Sequence, residues 1–191
     1  MNKTIKKDLP ISFAINKQFE TTDTRFLSVT IDVLHTGQNF NGSVFSKEVV
    51  DSCIESIYNT PILGYIKFKN GELDDFVGHE YKIVKKDDQY VWVYSGNAYG
   101  VIPESCNPRW ITKVSSDGIS RDYLQVDALL WTKLEDAYDL FMRDGIKNQS
   151  MEITDCEGNE DENGIFVFSS FKFDGCCLLS TTDAKIQPAM I

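Results

Sequence analysis

The chain holds only two histidines, so each one invites a chemical reading. Histidine is the side chain whose ordinary pKa lies nearest working pH, which makes it the first choice for a general base. His79 follows Gly78 after a loop of exposed character. It is either a strand-start histidine bonded to backbone or a proton acceptor in a site. His35 ends a strand before a turn and admits the same two readings. Ser150 begins a strand after the helix-ending Gly145 and could present its hydroxyl to a neighbouring element. Pattern alone also allows a hydrogen-bonded surface serine, and the chain has no Gly-x-Ser-x-Gly elbow. Two acids could orient a catalytic histidine. Asp174 shares period-2 parity with Phe166, Phe168, Ser170 and Lys172, and precedes Gly175, where a turn aspartate would also fit. Glu152 competes, because it shares a strand face with Ser150. Glu80 would point to the face opposite His79.

Other candidates carry less. The cysteines are Cys53, Cys106, Cys156, Cys176 and Cys177, an odd count with no Cys-x-x-Cys. They read as buried, reduced thiols, and the ligand spacing of a zinc site is absent. The acidic run from Asp155 to Glu162 invites a calcium reading but fails the EF-hand pattern, since its glycine is misplaced and its flanks are strands. It reads as a solvated hairpin loop closed by Asn163-Gly164. No phosphate loop or dinucleotide fingerprint is present, and no cofactor is expected.

These residues need elements to hold them. Phe26 to His35 alternates as a half-buried strand, with Leu27, Val29, Ile31 and Val33 on one face. Ser46 caps a helix with apolar positions 49, 50, 53, 54 and 57, stopped at Asn59-Thr60-Pro61. Residues 62–66 read as a short strand, and 67–76 as a polar loop. His79, Tyr81 and Ile83 share a strand face, with residues 90–94 as hairpin partner. Residues 110–114 and 123–130 flank Asp117-Gly118, a hairpin signal. Thr132 with Glu135 fits a capping box for a helix that ends at Gly145. Residues 150–154 and 165–173 read as strands. Eight to ten short strands and two helices, without regular alternation, predict a mostly-β or α+β fold. The expected form is an antiparallel barrel-like sheet with a few helices packed outside. Residues 181–191 lose periodicity and read as a tail.

Composition sets outer bounds. The chain has 191 residues, 42% apolar and 25% charged, enough for one domain with a real core. Its net charge of −10 repels phosphate, so no nucleic-acid partner is expected. No apolar run approaches the ~18 residues that cross a bilayer, and the basic start at Lys3, Lys6 and Lys7 lacks the apolar stretch of a signal peptide.

An ordered set of motifs then resembles a known family. Gly37 to Phe45 leads into the first helix, and Tyr58 to Tyr65 follows. Gly78-His79, Tyr99 to Ser105 and Asp127 to Trp131 come next. Gln149-Ser150-Met151-Glu152-Ile153, Phe171 to Leu179 and Gln187-Pro188-Ala189 complete the set. Together they resemble the prohead (capsid maturation) proteases of tailed bacteriophages, distant relatives of the herpesvirus assemblins. The resemblance covers about residues 26–189. It implies a protease-like domain over 1–180, with 181–191 as a possible junction to a scaffold region. It implies a serine endopeptidase on a β-barrel core, with Ser150 as nucleophile and His79 as general base. Asp174 would be the third member, with Glu152 as the alternative. No metal or cofactor is implied. The implied substrates are the major capsid protein and the scaffold protein, cut inside the procapsid in the host cytoplasm, and a homodimer is the implied assembly. A non-catalytic capsid-assembly protein of the same fold is the other expectation. Arg109, Arg121 and Arg143 are the late arginines that could serve an oxyanion, and none lies in a family motif.

Overall fold

Strand formation dominates because β-branched and aromatic residues recur at period two along most of the chain. The computed structural model describes residues 11–19, 23–115, 117–181 and 183. The tail beyond 183 and the motif at 187–189 lie outside the described residues. The strands are β1 (Ile11–Phe19), β2 (Phe26–His35), β3 (Gly37–Gln38), β4 (Ser43–Phe45), β5 (Thr60–Gly64), β6 (Ile66–Lys69) and β7 (Glu72–Phe76). They continue as β8 (Tyr81–Lys86), β9 (Gln89–Tyr94), β10 (Asn97–Ile102), β11 (Arg109–Val114), β12 (Ser120–Trp131), β13 (Asn148–Glu160) and β14 (Phe166–Leu179). Helix α1 (Lys47–Cys53) runs on into a 3-10 turn at Ile54–Ile57, and α2 spans Glu135–Asp144.

The large sheet runs in the order β13-β1-β2-β12-β10-β5-β14-β4-β3, and β13 pairs in addition with β14. That last pairing joins the path back on itself. Seven strands therefore form a ring, and the fold is the mostly-β, barrel-like one expected. Two pairings are parallel, β14 with β5 and β14 with β4, so the sheet is not purely antiparallel. Inside lie Val29, Ile31 and Val33 of β2, Val126 and Ala128 of β12, and Ile62 of β5, all essentially without exposure. Helix α2 lays Ala137, Leu140 and Phe141 onto this core, and Phe141 meets Phe76 of β7.

Several local expectations change. β2 is buried on both faces from Val29 onward, because Thr30 and Asp32 are covered by β12 and its neighbours. Asp32 is stabilised there by Lys113 at 2.5 Å and by the Gln125 amide at 2.9 Å. The Thr132 capping box does not form. Thr132 Oγ1 donates instead to the Thr24 carbonyl, and Leu134 occupies the cap position without a side-chain bond. The helix does stop at Gly145, whose φ of +70° suits glycine. Residues 67–76, expected as a loop, form the hairpin β6–β7 around Asn70-Gly71. The acidic run belongs largely to β13. Only a tight turn remains, held by the Asp161 carboxylate accepting from the Asn163 and Ile165 amides.

Candidate active site

The site is built on the β13–β14 ladder. Alternation along β13 sends Met151 and Ile153 into the core and leaves Ser150 and Glu152 together on the other face. The register places Ser150 opposite Cys177 and Glu152 opposite Gly175. Directly opposed residues hold their Cβ atoms about 4.5–5.5 Å apart, so Cys177 is the immediate cross-strand neighbour of Ser150.

His79 reaches this face by its own route. Val77 forms a β-bridge with Leu179, two residues beyond Cys177 on β14. Gly78 then turns the chain at φ +102°, a conformation that favours glycine. The Glu80 amide bonds back to the Gly78 carbonyl, and the Ser95 amide bonds to the Glu80 carbonyl. His79 thus lies in a short link before β8 rather than in the strand.

His79 Nδ1 is 2.5 Å from Glu152 Oε1. The carboxylate on the imidazole is therefore Glu152, the second of the two acids considered. Asp174 sits at a bulge: Gly175 pairs with Glu152 and Phe173 with Ile153, so Asp174 has no ladder partner, and its side chain is exposed. Period-2 parity counted along the sequence does not anticipate that extra residue.

Among the described residues, two buried side-chain polar atoms lack a hydrogen-bond partner: His79 Nε2 and Ser150 Oγ. Leaving such an atom unpaired costs about 1–3 kcal/mol. Ser150 is fully buried, while the His79 side chain keeps 26% exposure and Glu152 keeps 18%. Burial, the largest single influence on the His79 ring, disfavours its charged form. Cys177 and Glu152 beside it outweigh burial together and push its pKa up to about 10.

Cys177 was not legible as part of this site. Its donor atom and those of His79 and Glu152 lie within 4.8 Å of one another. The Tyr94 hydroxyl, at the end of β9, is 3.7 Å from Cys177 Sγ. Burial and then Cys177 raise the Tyr94 pKa, so this phenol stays an O–H donor. The available signal was the vicinal pair itself. Neighbours on a strand face opposite ways, so one of Cys176 and Cys177 had to leave the core side. Cys176 is the one that meets the Gln149 side chain within the core. All five cysteines are free; four are buried as expected, and Cys53 is partly exposed.

The other candidates sit elsewhere. His35 is buried on β2, its Nδ1 2.9 Å from the Thr36 carbonyl oxygen and its ring edge-on to Tyr123. Arg109 is spent on Gln125 and Asp127, Arg121 on Asp117, and Arg143 on Asp144 and the Asp74 carbonyl. Glu80 is exposed and makes no bond to His79 among those described.

Gly175 makes room for the carboxylate. A Cβ there would lie 2.6 Å from Glu152 Oε2. We expect Gly175→Ala to push Glu152 off the imidazole while the strand persists. A thermal melt should then change little, and any His79-dependent reactivity should fall roughly tenfold or more, in line with the general-base contribution. Unchanged reactivity would mean that the carboxylate contact is not needed.

One family model, described as the YonD N-terminal domain, matches residues 25–191. No curated protein and no solved structure shows a significant match to the chain.

Proposed function

Since the chain belongs to the YonD N-terminal domain family, whose name is phage-associated, we propose that it is a capsid-maturation serine endopeptidase. Ser150 is the nucleophile, His79 the general base and Glu152 the group that orients it. The observation that carries the reading is the pair of orphaned atoms, His79 Nε2 and Ser150 Oγ, on an imidazole whose other nitrogen is held by a carboxylate. A fold selected for stability alone would pair or remove them.

The chemistry follows from the atoms. In the neutral ring Glu152 keeps the Nδ1 proton in place and leaves Nε2 with its lone pair. Nε2 takes the Ser150 proton as Oγ attacks a peptide carbonyl. The tetrahedral species collapses with the proton passing to the leaving amine. Water then cleaves the acyl-serine by the same base, returning the serine hydroxyl. The substrates in this reading are the scaffold protein and the major capsid protein, inside the procapsid in the host cytoplasm, and the working form is a homodimer.

A second reading is a non-catalytic capsid-assembly protein of the same fold. The complete burial of Ser150 favours it. A fluorophosphonate probe separates the two. Labelling of the metal-free protein at Ser150, lost in His79→Ala, is the expected result. No adduct at Ser150, even with capsid and scaffold proteins present, would overturn the peptidase reading.

A further inference from the structure

We propose that His79, Glu152 and Cys177 form a binding site for a thiophilic divalent cation of the zinc class, and that the bound cation silences the serine. The binding claim stands on geometry alone; only the silencing rests on the peptidase reading above.

The three groups come from three separate segments, the link after β7, strand β13 and strand β14. Their donor atoms nevertheless converge within 4.8 Å of one another. They supply one nitrogen, one carboxylate oxygen and one sulfur. Zinc takes such ligands at about 2.0–2.3 Å in tetrahedral sites, which places donors about 3.3–3.8 Å apart. Shifts of about 1 Å would therefore close the present triangle. Three protein ligands leave a fourth position open, and Ser150 lies directly across the ladder from Cys177. Softness of the sulfur selects against magnesium and calcium, which want all-oxygen cages.

Two further features point to a ligand. His79 Nε2 is buried without a hydrogen-bond partner, so one nitrogen of the ring is uncommitted by the fold. The Tyr94 hydroxyl stands 3.7 Å from Cys177 Sγ, where it can donate to a coordinated thiolate as an outer support.

The cation and the catalytic arrangement exclude each other. Coordination takes the Glu152 oxygen and a ring nitrogen, and so breaks or strains the 2.5 Å contact between them. The Cys177 thiol and the charged imidazole each give up a proton to solvent, and the cation then holds the imidazole lone pair that Ser150 needs. The net exchange is one cation bound for the protons released, with no change of oxidation state.

The test uses the full chain stripped with EDTA and titrated with zinc and with cobalt(II). One equivalent should bind. Cobalt should give a sulfur-to-metal charge-transfer band in the near ultraviolet, lost in Cys177→Ser and kept in Cys53→Ser. Zinc should slow fluorophosphonate labelling of Ser150 more than tenfold in the wild type, and not in Cys177→Ser. Absence of the cobalt band, or equal zinc affinity in wild type and Cys177→Ser, would overturn the site. The two readings fail separately. A cobalt band with no labelling of metal-free protein would keep the cation site and remove the peptidase. Labelling with no cobalt band would do the reverse.

Discussion

Replacing Ser150 with alanine is expected to abolish peptide cleavage and, in the same protein, to raise its stability. The first effect follows from losing the nucleophile: in serine peptidases such a change lowers kcat on the order of 10⁴-fold or more. The second follows from burial. Ser150 Oγ is fully enclosed and unpaired, so its hydroxyl was desolvated without compensation. Removing it should stabilise the fold by about 1 kcal/mol, a rise in Tm of about 2–4 °C for a chain of this size. Denaturant melts and cleavage of scaffold or capsid protein would be run on one preparation. A serine serving only structure would do the opposite, costing stability on substitution and leaving cleavage untouched. The combination of a dead and more stable variant is therefore diagnostic of a residue kept for reactivity.

The second large effect concerns Glu152. Glu152→Gln keeps the shape but loses the charge and the proper hydrogen bond to Nδ1, and the expected loss in rate is about 10⁴-fold. Asp174→Asn should change the rate little, since that carboxylate is exposed and unbonded to the ring. pH separates the two acids further. The wild-type His79 pKa lies at about 10 in the folded protein, against 6.5 ordinarily. Only the neutral ring can accept a proton, so with EDTA present the wild-type rate should climb with pH toward about 10. Loss of the Glu152 charge should move that limb down by about 1–3 pH units. An unmoved limb in Glu152→Gln would remove Glu152 from the role. Stability has the opposite dependence. A group whose pKa rises on folding stabilises fully below its unfolded pKa, here about 6.5, and the contribution is lost as pH climbs through about 10. The difference in stability between wild type and His79→Gln should shrink across that window.

How much of this could be seen in the sequence depends on how local each signal is. Strand alternation around Ser150 gave the right face, and so kept Glu152 in view, because the register along β13 is regular there. His79 stood out by scarcity. The assignment of Asp174 failed to match the geometry at a bulge, a feature set by packing rather than by residue pattern. The hairpin β6–β7 was hidden because its residues are mostly polar and its outer strand is exposed. Thr132 looked like a cap, yet the carbonyl of Thr24, far off in sequence, competes for it. Cys177 shows the same limit more strongly. Its meeting with His79 depends on the Val77–Leu179 bridge, and no spacing rule for metal or thiol sites encodes a contact of that kind.

The closure of the ring has a bearing on timing. Ser12 of β1 pairs with Ser150 of β13, so one edge of the first described strand must wait for a partner made 138 residues later. Pairings of such long sequence separation are slow to form. Ser150, Glu152 and Cys177 also emerge long after His79. A nascent chain therefore carries its histidine for 71 residues before Ser150 is made. In the proposed peptidase, reactivity would arise only once the β13–β14 ladder meets His79, so the half-made chain would be harmless to its neighbours.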